Sequence, residues 1–232
     1  MSKLAKFHMG LLCNGSTFLA IGVTILLVGI GNLVFASQFM DNQPLSLLEY
    51  QRVSSVVSRI AYVLLMVFLW NRAMSLKLEQ STWLLVVMKI SRRRLFMSKL
   101  MILLFINFIL GIVFFFLQTI VGMGCDSHYY VLVWTWWDWL SIVLGGIVYG
   151  MYTMALTQWW GGTMALLVPV VVFIVVHNLA FDGPIFALLQ ILFVIGTVMG
   201  FRQLLWIGWV IGLLGFINYW FYLHRDLTFI EK

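Results

Sequence analysis

The chain has 232 residues, of which 63% are hydrophobic and only 9% are charged, whereas soluble domains have about 45–50% and about 25%. A water-soluble fold of this length would lack the polar side chains to cover its surface, so the composition excludes that class and predicts a polytopic membrane protein. The net charge of +6 does not require a nucleic acid partner, because the positive-inside rule and anionic headgroups account for where the basic residues cluster.

Apolar runs divide the chain into candidate spans, most of them close to the length of about 20 residues that crosses a membrane. The first twelve residues carry Lys3, Lys6 and His8 on one side and apolar side chains on another, which predicts an amphipathic helix along the inner membrane surface. We predict a single all-α integral membrane domain over residues 1–232. Its six transmembrane helices lie at about 17–37, 53–74, 100–121, 140–156, 163–176 and 204–223.

Residues 185–200, just before the last span, form an apolar but short segment. Only three residues separate it from the span at 204–223, and this is too few for a hairpin between two full crossings. We therefore predict that the segment is re-entrant or lies at the outer surface, which leaves six spans with both termini in the cytoplasm. A seventh crossing, with the C-terminal tail outside, is the alternative.

The loop between the second and third spans predicts the orientation of the protein. Half of the 14 Lys and Arg residues lie between positions 72 and 99, around the single acid Glu79. Short loops rich in Lys and Arg resist translocation, so this loop should face the cytoplasm. The loop at 122–138 contains Asp126 and Asp138 but no Lys or Arg, and we expect it outside.

Arg59 is a charged residue well inside the second span. Insertion scales put the cost of such a charge at about 2.5–3.5 kcal/mol, which makes it a candidate functional residue. One interpretation is that Arg59 lines a translocation path. The other is that it snorkels to the outer headgroups or pairs with Asp41 or Glu49 of the preceding loop. Arg202, near the outer end of the last span, has the same two interpretations.

The sequence contains no catalytic motif that we recognise. It lacks the G-x-x-x-x-G-K-[ST] loop that cradles nucleotide phosphates, the H-E-x-x-H pair of metalloproteases and the G-x-S-x-G turn of serine hydrolases. Its four histidines are scattered over loops and ends. We therefore expect no enzymatic activity in this chain, and no cofactor or metal bound by the chain itself.

The basic loop resembles that of the type-two ATP-binding-cassette (ABC) exporter permeases. In that family the second span is followed by an acidic residue, a threonine, a Leu-Leu pair, a Pro-x-Ser-Arg turn and a lysine that starts the third span. The residues at matching places here are Glu79, Thr82, Leu84, Leu85, Ser91, Arg92 and Lys99. Where the family has a glycine before the threonine, this chain has Ser81, and where the family has the proline, it has Lys89. These differences suggest a divergent branch of the family.

The resemblance implies a partner and a function. These residues, with Arg93 and Arg94, would form a cytoplasmic coupling helix that sits in a groove on an ABC ATPase subunit. The chain would then pair with a second permease copy or a paralogue in a bacterial plasma membrane. ATP and Mg would be bound by two copies of the ATPase and not by this chain. Small six-span permeases of this kind resemble exporters of peptides, including bacteriocin or lantibiotic export and immunity systems. Drugs are the other class of substrate.

Two other functions are compatible with the spans alone. A substrate-capture subunit of an ATP-dependent vitamin importer is also small and six-spanning, but we would expect an outer ligand pocket in it and no basic inner loop. A non-transporting membrane scaffold or sensor would need no coupling residues at all.

Overall fold

The computed structural model describes residues 3–12, 14–40, 47–74, 91–125, 136–160, 162–178, 192–193 and 201–224. Within these ranges the chain is helical and contains no strand, which confirms the prediction of an all-α fold for this part of the protein. The helices are α1 (Lys3–Leu12), α2 (Gly15–Met40), α3 (Leu47–Ala73), α4 (Arg92–Cys125), α5 (Trp136–Trp159), α6 (Gly162–Asn178) and α7 (Phe201–His224).

Four helices are long and apolar enough to cross a membrane. The qualifying stretches are Val56–Ala73 in α3, Arg92–Ile120 in α4, and the whole of α5 and α7. Shorter apolar stretches, Gly15–Gly31 and Thr163–Val176, lie in α2 and α6. These helices indicate a membrane protein, as the composition predicts, and the four long ones coincide with four of the six predicted spans.

The helices extend beyond the apolar runs from which we predicted the spans. The third span was predicted to begin at residue 100, but α4 begins at Arg92. The fourth was predicted to begin at residue 140, but α5 begins at Trp136, so that Asp138 lies in its first turn rather than in a loop. Hydropathy marks only the part of a helix that suits hydrocarbon, whereas backbone hydrogen bonding continues into the polar flanks.

Side-chain hydrogen bonds join helix termini at one end of the bundle, which we call the basic end. They are Arg72 Nη1 to Ser16 Oγ (2.6 Å), Thr157 Oγ1 to Asn71 Oδ1 (2.9 Å) and Arg92 Nη1 to the Leu223 carbonyl oxygen (3.0 Å). The ends of α3, α5 and α7 therefore lie beside the starts of α2 and α4. We call the opposite end, where α4 and α6 finish and α5 and α7 begin, the Asp138 end.

The centre of the bundle is the contact between α3 and α5, which is more extensive than that between any other pair of the described helices. Two glycines of α5 allow this approach. A Cβ atom at Gly150 would lie 2.5 Å from ring carbons of Trp70, and one at Gly146 would lie 2.6 Å from Cε1 of Tyr62. The close packing of α5 against α3 therefore requires glycine at these two positions. At the third glycine of α5, Gly145, a Cβ atom would meet nothing within 4 Å.

Leu192 and Phe193 are the described residues of the segment predicted to be re-entrant or external. The ring centre of Phe193 lies 5.6 Å from that of Tyr152 and 6.2 Å from that of Tyr149. Both tyrosines belong to the middle part of α5. Phe193 therefore packs at the depth of the bundle centre, and the remainder of residues 185–200 lies outside the described ranges.

Candidate functional site

The predicted coupling residues fall into two groups. Glu79, Thr82, Leu84 and Leu85 lie outside the residues that the structure describes, as does the rest of the segment 75–90. Of the others, Ser91 directly precedes α4, and Arg92, Arg93, Arg94 and Lys99 lie in its first turns.

The backbone hydrogen bonds of Ser91 show where α4 begins. Its carbonyl oxygen accepts hydrogen bonds from the backbone N–H groups of Arg94 (3.0 Å) and Leu95 (3.2 Å). The helix therefore begins within the basic segment, with Arg92, Arg93 and Arg94 in its first turn. A rigid helix thus connects the three arginines directly to the membrane-spanning part of α4.

The three consecutive arginines have different environments. Arg92 is half-buried and donates from Nη1 to the Leu223 carbonyl oxygen in the last turn of α7, where backbone carbonyls have no partner within the helix and carry partial negative charge. Arg93 and Arg94 are exposed. The structure therefore separates one arginine that joins α4 to α7 from two whose side chains are accessible to a partner.

Lys99 lies within the packing between α4 and α7. Its side chain is 1% exposed, and Nζ lies 5.7 Å from the centre of the Tyr222 ring, a distance at which a cation and an aromatic face attract each other. Phe96, one turn earlier, packs against Tyr219 and Tyr222 with ring centres 5.5 Å and 5.3 Å apart. A partner docking on the surface would meet Arg93 and Arg94 but not Lys99.

His8 attaches α1 to α4 at the basic end. It is fully buried, and its Nδ1 lies 3.1 Å from Oγ of Ser98. Burial, and secondly the positive charge of Lys99, lower the pKa of His8 from its usual 6.5 to about 4. The imidazole is therefore neutral at physiological pH, which suits a buried position beside a lysine.

Arg59 forms an ion pair with Asp138, at 3.7 Å between Nη2 and Oδ1, and both side chains are largely buried. The pair joins α3 to the first turn of α5. The partners expected for Arg59, Asp41 and Glu49, lie outside the residues whose side chains are described. Sequence reasoning missed Asp138 because we assigned it to a loop.

Further buried polar side chains accompany this ion pair. The Tyr62 hydroxyl donates to the carbonyl oxygen of Asn107 (2.6 Å), and Nδ2 of Asn107 donates to the carbonyl oxygen of Val143 (3.1 Å). Gln118 donates to the hydroxyl of Ser58. We call this group the polar seam, and it consists of Ser58, Arg59, Tyr62, Asn107, Gln118 and Asp138. An amide side chain inside an otherwise apolar span, as at 107 and 118, was the sequence signal that could have revealed it.

A small cavity lies beside the polar seam between α3, α5 and α6. It is lined by Arg59, Tyr62, Val63, Ser141, Ile142, Gly145, Tyr149 and Phe173. The space open to the centre of a water-sized sphere is about 10 Å³, so the cavity suits one water molecule rather than an organic ligand.

Arg202, the other charged residue predicted to lie near the outer face, is exposed in the first turn of α7 at the Asp138 end. Arg59 lines the small cavity beside the polar seam, and Arg202 is not among the residues that line it. Within the described ranges, no group of three or more His, Cys, Asp or Glu side chains is placed to hold a metal ion.

Comparison of the chain with protein-family models, with curated proteins and with solved structures found no match. The resemblance of the basic loop to ABC exporter permeases is therefore supported by its own residues alone.

Proposed function

We propose that the chain is the membrane-spanning subunit of an ATP-driven ABC exporter. It forms half of a translocation pathway, pairs with a second permease copy or a paralogue, and couples through its basic loop to a separate ATPase present in two copies. The cargo is a peptide or a drug-like hydrophobic molecule. In this proposal α2 to α7 are six spans, and both termini lie in the cytoplasm of a bacterial cell.

The distribution of charge supports this orientation. Four arginines, Arg72, Arg92, Arg93 and Arg94, lie at the basic end of the bundle. The other end has Arg202 and the Arg59–Asp138 pair, in which the charges offset each other. Positively charged loops are retained in the cytoplasm, so the basic end is the cytoplasmic one. Because α1 packs at this end and α7 finishes there, the same assignment places both termini inside.

The position of Phe193 supports a re-entrant segment before the last span. Helix α6 ends and α7 begins at the Asp138 end, yet Phe193 packs against Tyr149 and Tyr152 near the middle of α5. Asn178, Phe193 and Phe201 thus lie at one end of the bundle, near its middle and at the first end again, the order expected of a segment that enters the membrane without crossing it. This favours six crossings over seven.

The observation that carries the proposal is the way α3 and α4 are held on either side of the basic loop. Both helices continue from the loop into the bundle, and both are fastened at the basic end, by Arg72 to Ser16 of α2 and by Arg92 to Leu223 of α7. A sideways push on the loop, as two ATPases close on ATP, would therefore move α3 and α4 together with their neighbours. Through α3 the movement reaches Arg59 and its ion pair with Asp138.

Purification of the tagged full chain from its native membrane, in mild detergent, tests the proposal. We expect ATP hydrolysis to copurify with the wild type. It should fall about tenfold or more in the double variant Arg93→Gln/Arg94→Gln and in Glu79→Gln, because these variants remove charges that contact the ATPase. A tenfold fall corresponds to a loss of about 1.4 kcal/mol of binding free energy. Arg93 and Arg94 are chosen because they are exposed, so their loss should not disturb packing as the loss of Arg92 would.

The matched control is Arg202→Gln, which removes an exposed arginine at the opposite end of the bundle and should leave the copurified activity unchanged. If the variants at 79, 93 and 94 retain as much activity as this control, the coupling assignment is wrong. A wild-type preparation with no associated ATPase would overturn the exporter proposal itself.

A further inference from the structure

We propose that the cavity beside Arg59 is a hydration site, in which one water molecule is bound between the Tyr149 hydroxyl, the Arg59 guanidinium and the Ser141 hydroxyl. The inference does not depend on the proposed function. It concerns a site inside the bundle, between α3, α5 and α6, and its ligand is water itself.

The Tyr149 hydroxyl is the first observation that points to a ligand. The residue is 1% exposed, and among the described residues its hydroxyl has no hydrogen-bond partner. An edge-to-face contact with Phe173, with ring centres 5.2 Å apart, limits movement of the ring, and the side chain lines the cavity. Most buried polar side-chain atoms are paired with protein or with ordered water, so a bound water is the partner that this geometry allows.

The chemistry of the cavity wall is the second observation. A buried water needs two to four polar partners, and cavities lined only by apolar groups stay dry. Besides Tyr149, the wall contains Arg59 and Ser141. A guanidinium has five N–H donors, so Arg59 can contact Asp138 and still donate to a water. The Ser141 hydroxyl donates to the Trp137 carbonyl oxygen at 2.7 Å, and its oxygen can accept from the water.

The space itself is set by Gly145. A Cβ atom there would meet nothing within 4 Å, in contrast to Gly146 and Gly150, where Tyr62 and Trp70 occupy the space that a side chain would take. Helix α5 thus uses two of its glycines for close packing and leaves the third facing open space. The volume, about 10 Å³ for the centre of a water-sized sphere, is close to the smallest that holds one water molecule.

A bound water would explain how a guanidinium is accommodated inside the bundle. Together with the Asp138 carboxylate, the water replaces part of the hydration shell that Arg59 loses on burial. It also connects α3 to the middle of α5, beyond the direct ion pair in the first turn of that helix.

Hydroxyl-radical footprinting by X-ray radiolysis of water tests the site on the unmodified full chain, reconstituted in nanodiscs of neutral lipid. Radicals formed from a bound water modify the side chains beside it, even where bulk solvent is excluded. We expect Tyr149 to be modified several-fold faster than Phe96, after correction for intrinsic reactivity, although both are 1% exposed. Equal protection of Tyr149 and Phe96 would overturn the proposal.

A Gly145→Ala variant supplies an independent check, because its methyl group takes up space in the cavity. If water occupies the site, labelling of Tyr149 should fall to the level of Phe96 in this variant. Labelling that persists at the wild-type rate would mean that the radicals come from elsewhere, and the site would be rejected.

The Tyr149→Phe variant tests the same site through the sign of its effect on thermal stability. With water bound, loss of the hydroxyl removes a hydrogen bond and lowers the midpoint of unfolding, as Tyr62→Phe should do by removing the bond to Asn107. In a dry cavity, Tyr149→Phe removes an unpaired buried hydroxyl, and the midpoint rises or stays the same. The latter result would overturn the proposal.

Discussion

Arg59 and Asp138 show how two charges are accommodated within a bundle of apolar helices. Their side chains are 13% and 12% exposed and lie 3.7 Å apart. Each therefore depends on the other, because removing one partner of a buried pair leaves an uncompensated charge. Asp138 also lies in the first turn of α5, where the positive end of the helix dipole favours a carboxylate.

We predict that Arg59→Gln and Asp138→Asn each lower the free energy of unfolding by about 1–3 kcal/mol, between the values for exposed and fully buried pairs. The double variant should lose clearly less than the sum of the two, since it leaves neither charge without a partner. Reversible denaturant unfolding in a fixed detergent measures all three. Arg202→Gln, an exposed arginine at the same end, serves as the control.

If the double variant loses the sum of the two single losses, to within about 0.5 kcal/mol, the two positions behave as independent sites. That result would show that the two charges do not stabilise each other.

At the scale of elements, the sequence predicted the positions of the helices well. It predicted less well the residues at which helices begin and end, and the helix faces that contact each other. The four long spans follow from long, predominantly apolar runs, and the all-α fold follows from them. The start of α4 at Arg92 could not be predicted in this way, because a run of three arginines has low hydropathy whether or not it is helical. The structure shows that this run is helical, with the Ser91 carbonyl oxygen accepting the first hydrogen bonds of α4.

The attachment of α1 to α4 depends on the neutral form of His8, and this gives a prediction for pH. The pKa of His8 is lowered from 6.5 to about 4 in the folded protein. Between these values an undocked His8 binds a proton that the docked one does not, so docking is fully favoured above pH 6.5 and weakens as the pH falls toward 4. We expect backbone amides of α1 to exchange with deuterium increasingly fast over this range, after correction for intrinsic exchange.

A His8→Gln variant should show no such acceleration between pH 6.5 and 4, because glutamine does not titrate. The matched variant His224→Gln removes an exposed histidine of α7 and should retain the wild-type response, since it leaves His8 in place. Identical pH profiles for the wild type and His8→Gln would show that another group controls the attachment of α1.

For the whole molecule, the class of protein was predictable from composition, whereas the candidate sites were only partly so. Arg59 stood out because a charge interrupts an apolar span. Its partner Asp138 and the cavity beside Tyr149 did not, because they depend on the rotation of α5 about its axis relative to α3. Helices that are hydrophobic on all sides carry little periodic signal for that rotation. It is set instead by the fit of Gly146 and Gly150 against aromatic rings of α3.

The orientation of the bundle in the membrane is the largest-scale prediction, and exposed side chains at its two ends make it measurable. Arg93 lies at the basic end and Arg202 at the Asp138 end, and both are exposed. In a background in which Cys13 and Cys125 are replaced by alanine, we expect a membrane-impermeant maleimide to label Arg202→Cys in intact cells. Arg93→Cys should react only after the membrane is opened, because the positive-inside rule keeps the basic end in the cytoplasm.

Labelling of Arg93→Cys from outside intact cells would show that the bundle has the opposite orientation in the membrane. The basic loop would then face away from any source of ATP, and the exporter proposal would fall with the orientation. The hydration site beside Arg59 would be unaffected, because it depends only on contacts among α3, α5 and α6. The two conclusions thus stand on different observations, the charge at the helix ends for one and the buried hydroxyl of Tyr149 for the other.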